Sequence, residues 1–360
     1  MDNSSSFIRR YGWISIFGLL FVLLSACSTA GSATGSTSSG GGTGSASVAS
    51  VGTISEFALS SSAGYPGSIT VGPDGNLWFT EINASNQEQI GRITPEGTVT
   101  SFSFPTSVNG QRGLFGITTG PDHNLWFTEG QAGAIGRITP NGTISEFALP
   151  NPDSHPSGIT TGSDGNLWFT EVTGNIGRIT PSGTITEFPA NLYGSSGIAT
   201  GPDGNLWFGD ASNAEIGRIT PTGNVSTFPL PSHGSGSTSD TYMAITVGPD
   251  GNLWFCDNIQ HQIGRITPTG SVTEFALPSS YSANSVLNGI TSGPDGNLWF
   301  ISNTEDQIGR ITPTGTVTVF PLPAADSGNS SLSGIAAGPD SNLWFTEGGT
   351  DKIGSISSGK

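Results

Sequence analysis

The chain has 360 residues, of which 54 are glycine and only 11% are charged, and its 11 basic against 27 acidic side chains leave a formal net charge of −16. That balance excludes a basic surface for nucleic acid, the more so because most arginines fall in one repeated position. Its two cysteines, Cys27 and Cys256, exclude a disulfide framework: Cys256, beside Phe255, reads as a small buried hydrophobe, and Cys27 has another use.

The first element is a leader. Arg9 and Arg10 precede an apolar run over residues 11–24, short for a membrane span and suited to a signal peptide. Leu24-Ser25-Ala26-Cys27 then resembles a bacterial lipobox, so residues 1–27 are expected to be a lipoprotein signal in which Cys27 is lipidated. An ordinary secretory signal with a chance cysteine is the alternative, and Arg9-Arg10 fits a twin-arginine signal poorly. Over residues 28–50 the chain is almost wholly Ser, Gly, Thr and Ala, which makes 28–51 a flexible tether to a domain at 52–360. The expectation is a monomeric protein of the bacterial cell envelope, facing outside the cytoplasm and touching the membrane only through its lipid.

Beyond the tether, a module of roughly forty-five residues repeats. It is marked by a Trp-Phe pair at Trp78, Trp126, Trp168, Trp207, Trp254, Trp299 and Trp344. In the third module the segments 158–160, 166–169, 176–180 and 184–188 are rich in β-branched and aromatic residues and bounded by Gly, Pro and Asp, which predicts four short strands. Pro202-Asp203-Gly204 and Pro181-Ser182-Gly183 suit tight turns, because proline presets φ and glycine accepts positive φ. Four strands per module is the blade of a β-propeller. The last module stops at Ile353-Gly354-Ser355-Ile356 without a fourth strand, whereas residues 52–57 read as a fourth strand standing before the first module. Residues 53–57 should therefore pair with 352–356 and close the ring, hiding both edges. The fold class is all-β, a seven-bladed β-propeller.

Up-and-down blades place the first-to-second and third-to-fourth turns on one face, and the second-to-third loops and blade connections on the other. The first face is monotonous. The second carries the variable stretches 103–115, 229–243 and 277–288 and is the expected binding face. Arg92, Arg137, Arg178, Arg218, Arg265 and Arg310 occupy one slot on the third strand, which suits a structural role with acidic partners in turns or strands. After each second strand stand Glu81, Glu129, Glu171, Asp210, Asp257 and Glu347, with Ser302 and Asn303 in the sixth module. Pointing inward, they form an acidic rim and a cation site; pointing sideways, each pairs with an arginine or caps a loop in its own blade. His155, His233 and His261 fall in loops of the variable face, where solvent exposure without a role is the plainer reading, and His123 falls in a turn of the opposite face.

Leu167-Trp168-Phe169-Thr170-Glu171, followed by Ile176-Gly177-Arg178-Ile179-Thr180-Pro181 and continuing to Phe188, resembles the streptogramin B (virginiamycin B) lyases, and the resemblance spans residues 52–356. It implies a seven-bladed, magnesium-dependent enzyme that linearises a cyclic depsipeptide antibiotic by elimination at its ester linkage, the metal polarising a carbonyl while a base takes the α-proton. Those lyases carry His just before the small residue and Ile that open the inner strands of two neighbouring blades. Here the slots hold Gly67, Phe115, Ser157, Ser196, Met243, Asn288 and Ser333. The glutamate preceding one of those histidines is matched by Ser331, and a further family glutamate falls on Gly348, beside Glu347.

The residues therefore favour a module that binds a small cyclic peptide, a glycan or a surface protein through a rim including Glu129, Glu171, Asp210, Ser333 and Asn288. The alternative is a magnesium-dependent lyase with His233, His261 or Glu347 as catalytic candidates and Glu347, Glu81 and Asp257 as metal ligands. A metal-dependent propeller lactonase or esterase is a third reading.

Overall fold

The computed structural model describes residues 50–59, 64–83, 85–104, 112–192, 194, 197–231, 242–282, 285–323 and 330–360. The leader, Cys27, residues 28–49 of the tether, Ser196 and His233 lie outside the described residues. Among the described residues, 28 strands form seven four-stranded antiparallel sheets. The first blade comprises Tyr65–Val71, Leu77–Ile82, Glu88–Ile93 and Val99–Ser103. The third comprises Pro156–Thr161, Leu167–Glu171, Asn175–Ile179 and Ile185–Pro189, so the expected segments lie within a residue or two of the observed ones. The first strands of successive blades touch one another all the way round, including the seventh against the first, and so line the axis.

Ring closure follows the expected pairing. Strand Ile54–Ala58 runs antiparallel to Lys352–Ser357, with Ile54 opposite Ile356 and Phe57 opposite Ile353. The four sheet neighbours of the seventh blade thus include one strand from the other end of the domain.

The repeated motif is a packing device. In the first blade, Asp74 of the Pro-Asp-Gly-Asn turn accepts hydrogen bonds from Trp78 Nε1 at 2.9 Å and Asn76 Nδ2 at 2.7 Å. Burial alone would raise its pKa, yet the bonds from Trp78 and Asn76 hold Asp74 below the usual carboxylate value. Arg92 lies over both Trp78 and Phe102, at 5.4 and 5.5 Å from the ring centroids, and its guanidinium stands 3.5 Å from Asp74. The other five arginines of this slot repeat the arrangement. Their role is structural, with acidic turn residues as partners. A partly exposed ion pair contributes little by itself; the cation also lies over two rings, and Arg92 Nη1 donates to the Pro140 carbonyl at 3.2 Å.

Between consecutive blades the tryptophan of one packs with the Leu-x-Phe of the next. Trp78 and Ile90 sit with Ile117, Leu125, Phe127 and Ile138. At the closing joint, Trp344 and Ile353 sit with Leu59, Ile69, Leu77, Phe79 and Ile93. The Ile-Gly-Arg glycine makes room for this: a Cβ on Gly177 would lie 2.1 Å from the Phe169 ring, so any side chain there would displace the central phenylalanine of its blade.

Candidate functional site on the variable face

The second-to-third loops and the blade connections meet the starts of the inner strands on one face. These starts are irregular. The pairing with the second strand shifts register between Pro66 and Ile69, Leu114 and Ile117, Pro156 and Ile159, Leu287 and Gly289, and Leu332 and Ile335. Gly67, Phe115, Ser157, Asn288 and Ser333 stand in or at these bulges, a device that re-aims side chains beside a binding surface. A threonine of the second strand fills each of several bulges: Thr80 Oγ1 accepts from the Ser68 amide, and Thr128 Oγ1 accepts from that of Gly116. The threonine hydroxyls of this slot also reach the inner strand of the following blade, Thr128 donating to the Ser157 carbonyl at 2.6 Å and Thr346 to the Gly67 carbonyl at 2.7 Å. In the fourth blade this threonine is replaced by Gly209, and the buried Met243 occupies the space, its Cβ lying 2.6 Å from where a Cβ on Gly209 would be. Asn288 donates to the Leu332 carbonyl at 2.7 Å, Ser333 is exposed, and Phe115 and Tyr65 stand 42% and 50% exposed at neighbouring strand starts. The lining at this mouth is thus small, amide or aromatic.

The acidic residues lie one position inside the second strands rather than after them, as their last or next-to-last residue. They are buried, and they turn into their own blades. Glu81 accepts from Gln89 Nε2 at 2.8 Å. Glu129 meets Arg112, whose guanidinium also bonds Glu146 at 2.6 Å. Glu171 accepts from Asn175, and Asp210 from Asn213 through both amide groups. Asp257 takes the Ile259 and Gln260 amides and the Gln262 side chain, and Glu347 accepts from Thr350 at 3.0 Å. In the sixth blade, where the slot holds Ser302, Glu305 of the following loop enters instead, bonded by the Ser302 and Ser285 hydroxyls. Of the two orientations open from sequence, capping a loop or pairing within the blade is the one adopted.

Burial acts differently on these groups. It is the main cause that pushes Glu129 up to about 7, with the charge of Glu146 adding to it and Arg112 opposing. It likewise pushes Glu171 up to about 7 against the Asn175 bond, helped by Glu187, and raises Asp210. Burial also opposes ionisation of Glu305, but bonds from Ser285, Ser302 and Ser282 prevail and hold it below the usual value.

Glu347, Glu81 and Asp257 are therefore not brought together, each being committed within its own blade. Among the described residues no group of three or more His, Cys, Asp or Glu is placed to hold a metal ion. His261 Nδ1 lies 2.8 Å from the Ser285 carbonyl, and His155 meets the Gly130 carbonyl in the same way at 2.8 Å. Both have left-handed φ, at 54° and 51°, and both brace a connection to the adjacent blade. His123, at φ 58°, takes the place that glycine has in five of the equivalent turns of the opposite face and Ser341 has in the seventh blade. Sequence reasoning missed Arg112 and Glu305. The signal for Glu305 was the break at Ser302; Arg112 carried none, because it lies in the variable connection.

The sequence pattern of the virginiamycin B lyase family matches residues 45–194 and 190–360. Among solved structures, a catalytically inactive histidine-to-alanine virginiamycin B lyase from Staphylococcus aureus, determined with quinupristin, is 36% identical with a TM-score of 0.74, the match covering 85% of this chain and 99% of that one. A streptogramin B lyase structure is 34% identical with the same TM-score, over 85% and 97% of the two chains. YCF48 bound to D1 peptide, 14% identical with a TM-score of 0.63 over 84% and 95%, shares the fold alone. No curated protein matches significantly.

Proposed function

Because the chain belongs to the virginiamycin B lyase family, we propose that it is a propeller that holds a small cyclic peptide on its variable face without opening it. The observation that carries this reading is the set of residues at the inner-strand slots, Gly67, Phe115, Ser157, Met243, Asn288 and Ser333. None has a side chain able to remove an α-proton near neutral pH, which elimination requires. The S. aureus relative supports the separation of binding from chemistry: it is described as catalytically inactive after one histidine-to-alanine change and yet is seen with quinupristin. Tyr65 and Phe115 offer the exposed aromatic surface that such a ligand needs.

The purified protein with quinupristin tests it. The expected outcome is a melting temperature raised by the ligand, with the ligand eluting unchanged on chromatography after prolonged incubation with magnesium. Appearance of the ring-opened product would replace the reading with a lyase acting through a base such as His261 or His233.

The same reading includes an envelope location with Cys27 as the lipidated residue, supported by Leu24-Ser25-Ala26-Cys27 after an apolar run. Cys27→Ala is expected to abolish labelling by a fatty-acid probe and to move the protein out of the membrane fraction. Unchanged labelling would remove the anchor from the reading.

A further inference from the structure

Three blades place a glutamate at the end of the second strand beside a glutamate on the fourth, and they differ in what lies between the two. In the second blade it is Arg112, bonded to both Glu129 and Glu146 at 3.0 and 2.6 Å. In the seventh it is Lys352, which stands opposite Glu347 in the sheet and donates to Glu56 at 3.0 Å. The third blade has Glu171 and Glu187 within reach of each other, but the position of Lys352 is held by the neutral Asn175. Asn175 donates to Glu171 Oε2 at 3.1 Å and the Ser154 hydroxyl faces the same carboxyl, both neutral groups, while Glu171 Oε1 and Glu187 Oε1 are buried with no donor placed on them, as are Glu129 Oε1 and Glu56 Oε1 in the other two blades. Glu171 and Ser154 are fully buried. Two facing carboxylates with no cation between them are untenable if both are ionised in such a site, because unpaired buried charge is costly.

We propose that Glu171 and Glu187 share a single proton, in the place that Arg112 fills in the second blade and Lys352 in the seventh, and that its loss loosens the 151–155 connection on the variable face. One proton converts two repelling acceptors into a carboxyl–carboxylate hydrogen bond and leaves the second oxygen of the pair to accept from Ser154. The connection then gains a fixed point: Ser154 is its buried residue, and the His155 carbonyl accepts from the Val172 amide beside Glu171. The groups around Glu171 are few. The fourth strand supplies Glu187, the third supplies Asn175, and the connection supplies Ser154 and His155, whose ring is held at the Gly130 carbonyl; Arg178 of the third strand is engaged by Asp164 in the turn at the other face.

The direction of the pH effect follows from linkage. A carboxyl whose pKa is raised on folding binds more protons folded than unfolded, so its stabilising contribution is complete below the unfolded value and is lost as pH rises through the folded one. Glu171, pushed up to about 7, places that loss between about pH 5 and pH 8.

The experiment is thermal unfolding of the full chain from about pH 5 to about pH 9 for the wild type, Glu187→Gln and Asn175→Lys, with hydrogen exchange of the amides at 151–155. The wild type should lose a few degrees of melting temperature across this range relative to both variants, with exchange at 151–155 accelerating above neutrality only in the wild type. Asn175→Lys, which copies the seventh blade, should be the most stable at high pH. Glu187→Gln with the same pH slope as the wild type would overturn the proposal. So would sodium or calcium raising the wild-type melting temperature at high pH but not that of Asn175→Lys, since a bound cation would then fill the place. Arg112 and Glu129 are unchanged in every variant, so their own titration cancels in the comparison.

Discussion

Removal of residues 51–58 is expected to open the ring and to cost more stability than any single substitution at the surface. The segment supplies the whole fourth strand of the seventh blade, paired from Ile54 opposite Ile356 to Ala58 opposite Lys352. Phe57 stacks on Trp344 at 5.4 Å, as the fourth-strand phenylalanine does in every other blade, and Glu56 receives Lys352. Without it, Trp344 and Ile353, both fully buried, would be uncovered on one side, and Lys352–Ser357 would become a free edge. Fully burying a side chain such as Phe or Ile is worth about 1.5–3 kcal/mol, so losing several such contacts at once predicts a fall in melting temperature on the order of 10 °C. Aggregation through the exposed edge should accompany it. A milder variant separates closure from gross misfolding: Phe57→Ala keeps the backbone pairing and should cost about 2–3 kcal/mol, less than the 3–5 kcal/mol of a fully enclosed phenylalanine because Phe57 is only partly buried. A truncated protein that melts like the intact one would show that the ring does not depend on this strand.

Closure was legible because it is a counting property. A chain whose last module lacks a strand that its first residues supply has one economical arrangement, and the same local logic made the turns, the Arg slot and the strand boundaries readable. Pro-Asp-Gly-Asn fixes a turn through residues two to four apart, as the Asp74 bonds to Asn76 and Trp78 demonstrate. The acidic ring was legible only as two alternatives. Glu81 or Asp257 sits at a strand end, where the direction of the side chain depends on what the next loop offers, and those offers differ from blade to blade: Gln89, Asn175, Asn213, Thr350. The sixth blade shows why spacing alone misleads, since Glu305 arrives three residues late and still bonds Ser302. The slots beside the inner-strand bulges were placed correctly in sequence, but not the use of their backbone carbonyls by Thr128 and Thr346. That contact depends on two blades being neighbours, which no local pattern encodes.

Arg112→Met should be the most damaging single substitution on the variable face. The side chain is nearly enclosed, lies 4.1 Å from the Phe104 ring centroid, and holds the carboxylates of Glu129 and Glu146 together. Its backbone is equally engaged: the Arg112 amide donates to Glu88 of the first blade, and its carbonyl accepts from Gln131 and Ala132. Methionine keeps much of the stem and the main-chain bonds, so the substitution isolates the charge. Breaking a buried pair by removing one partner costs about 3–5 kcal/mol, because the other charge stays buried. Here the loss should depend on pH. Glu129, pushed up to about 7 by burial and by Glu146 even with Arg112 present, would rise further without it and could escape the penalty by protonating. The deficit of Arg112→Met should therefore be small near pH 5 and full near pH 8, and Glu129→Gln on top of it should recover most of the stability at high pH. Denaturant midpoints for the two single variants and the double variant at both pH values measure this directly. A deficit that is the same at pH 5 and pH 8 would mean that Arg112 acts through its packing on Phe104 and not through the carboxylates.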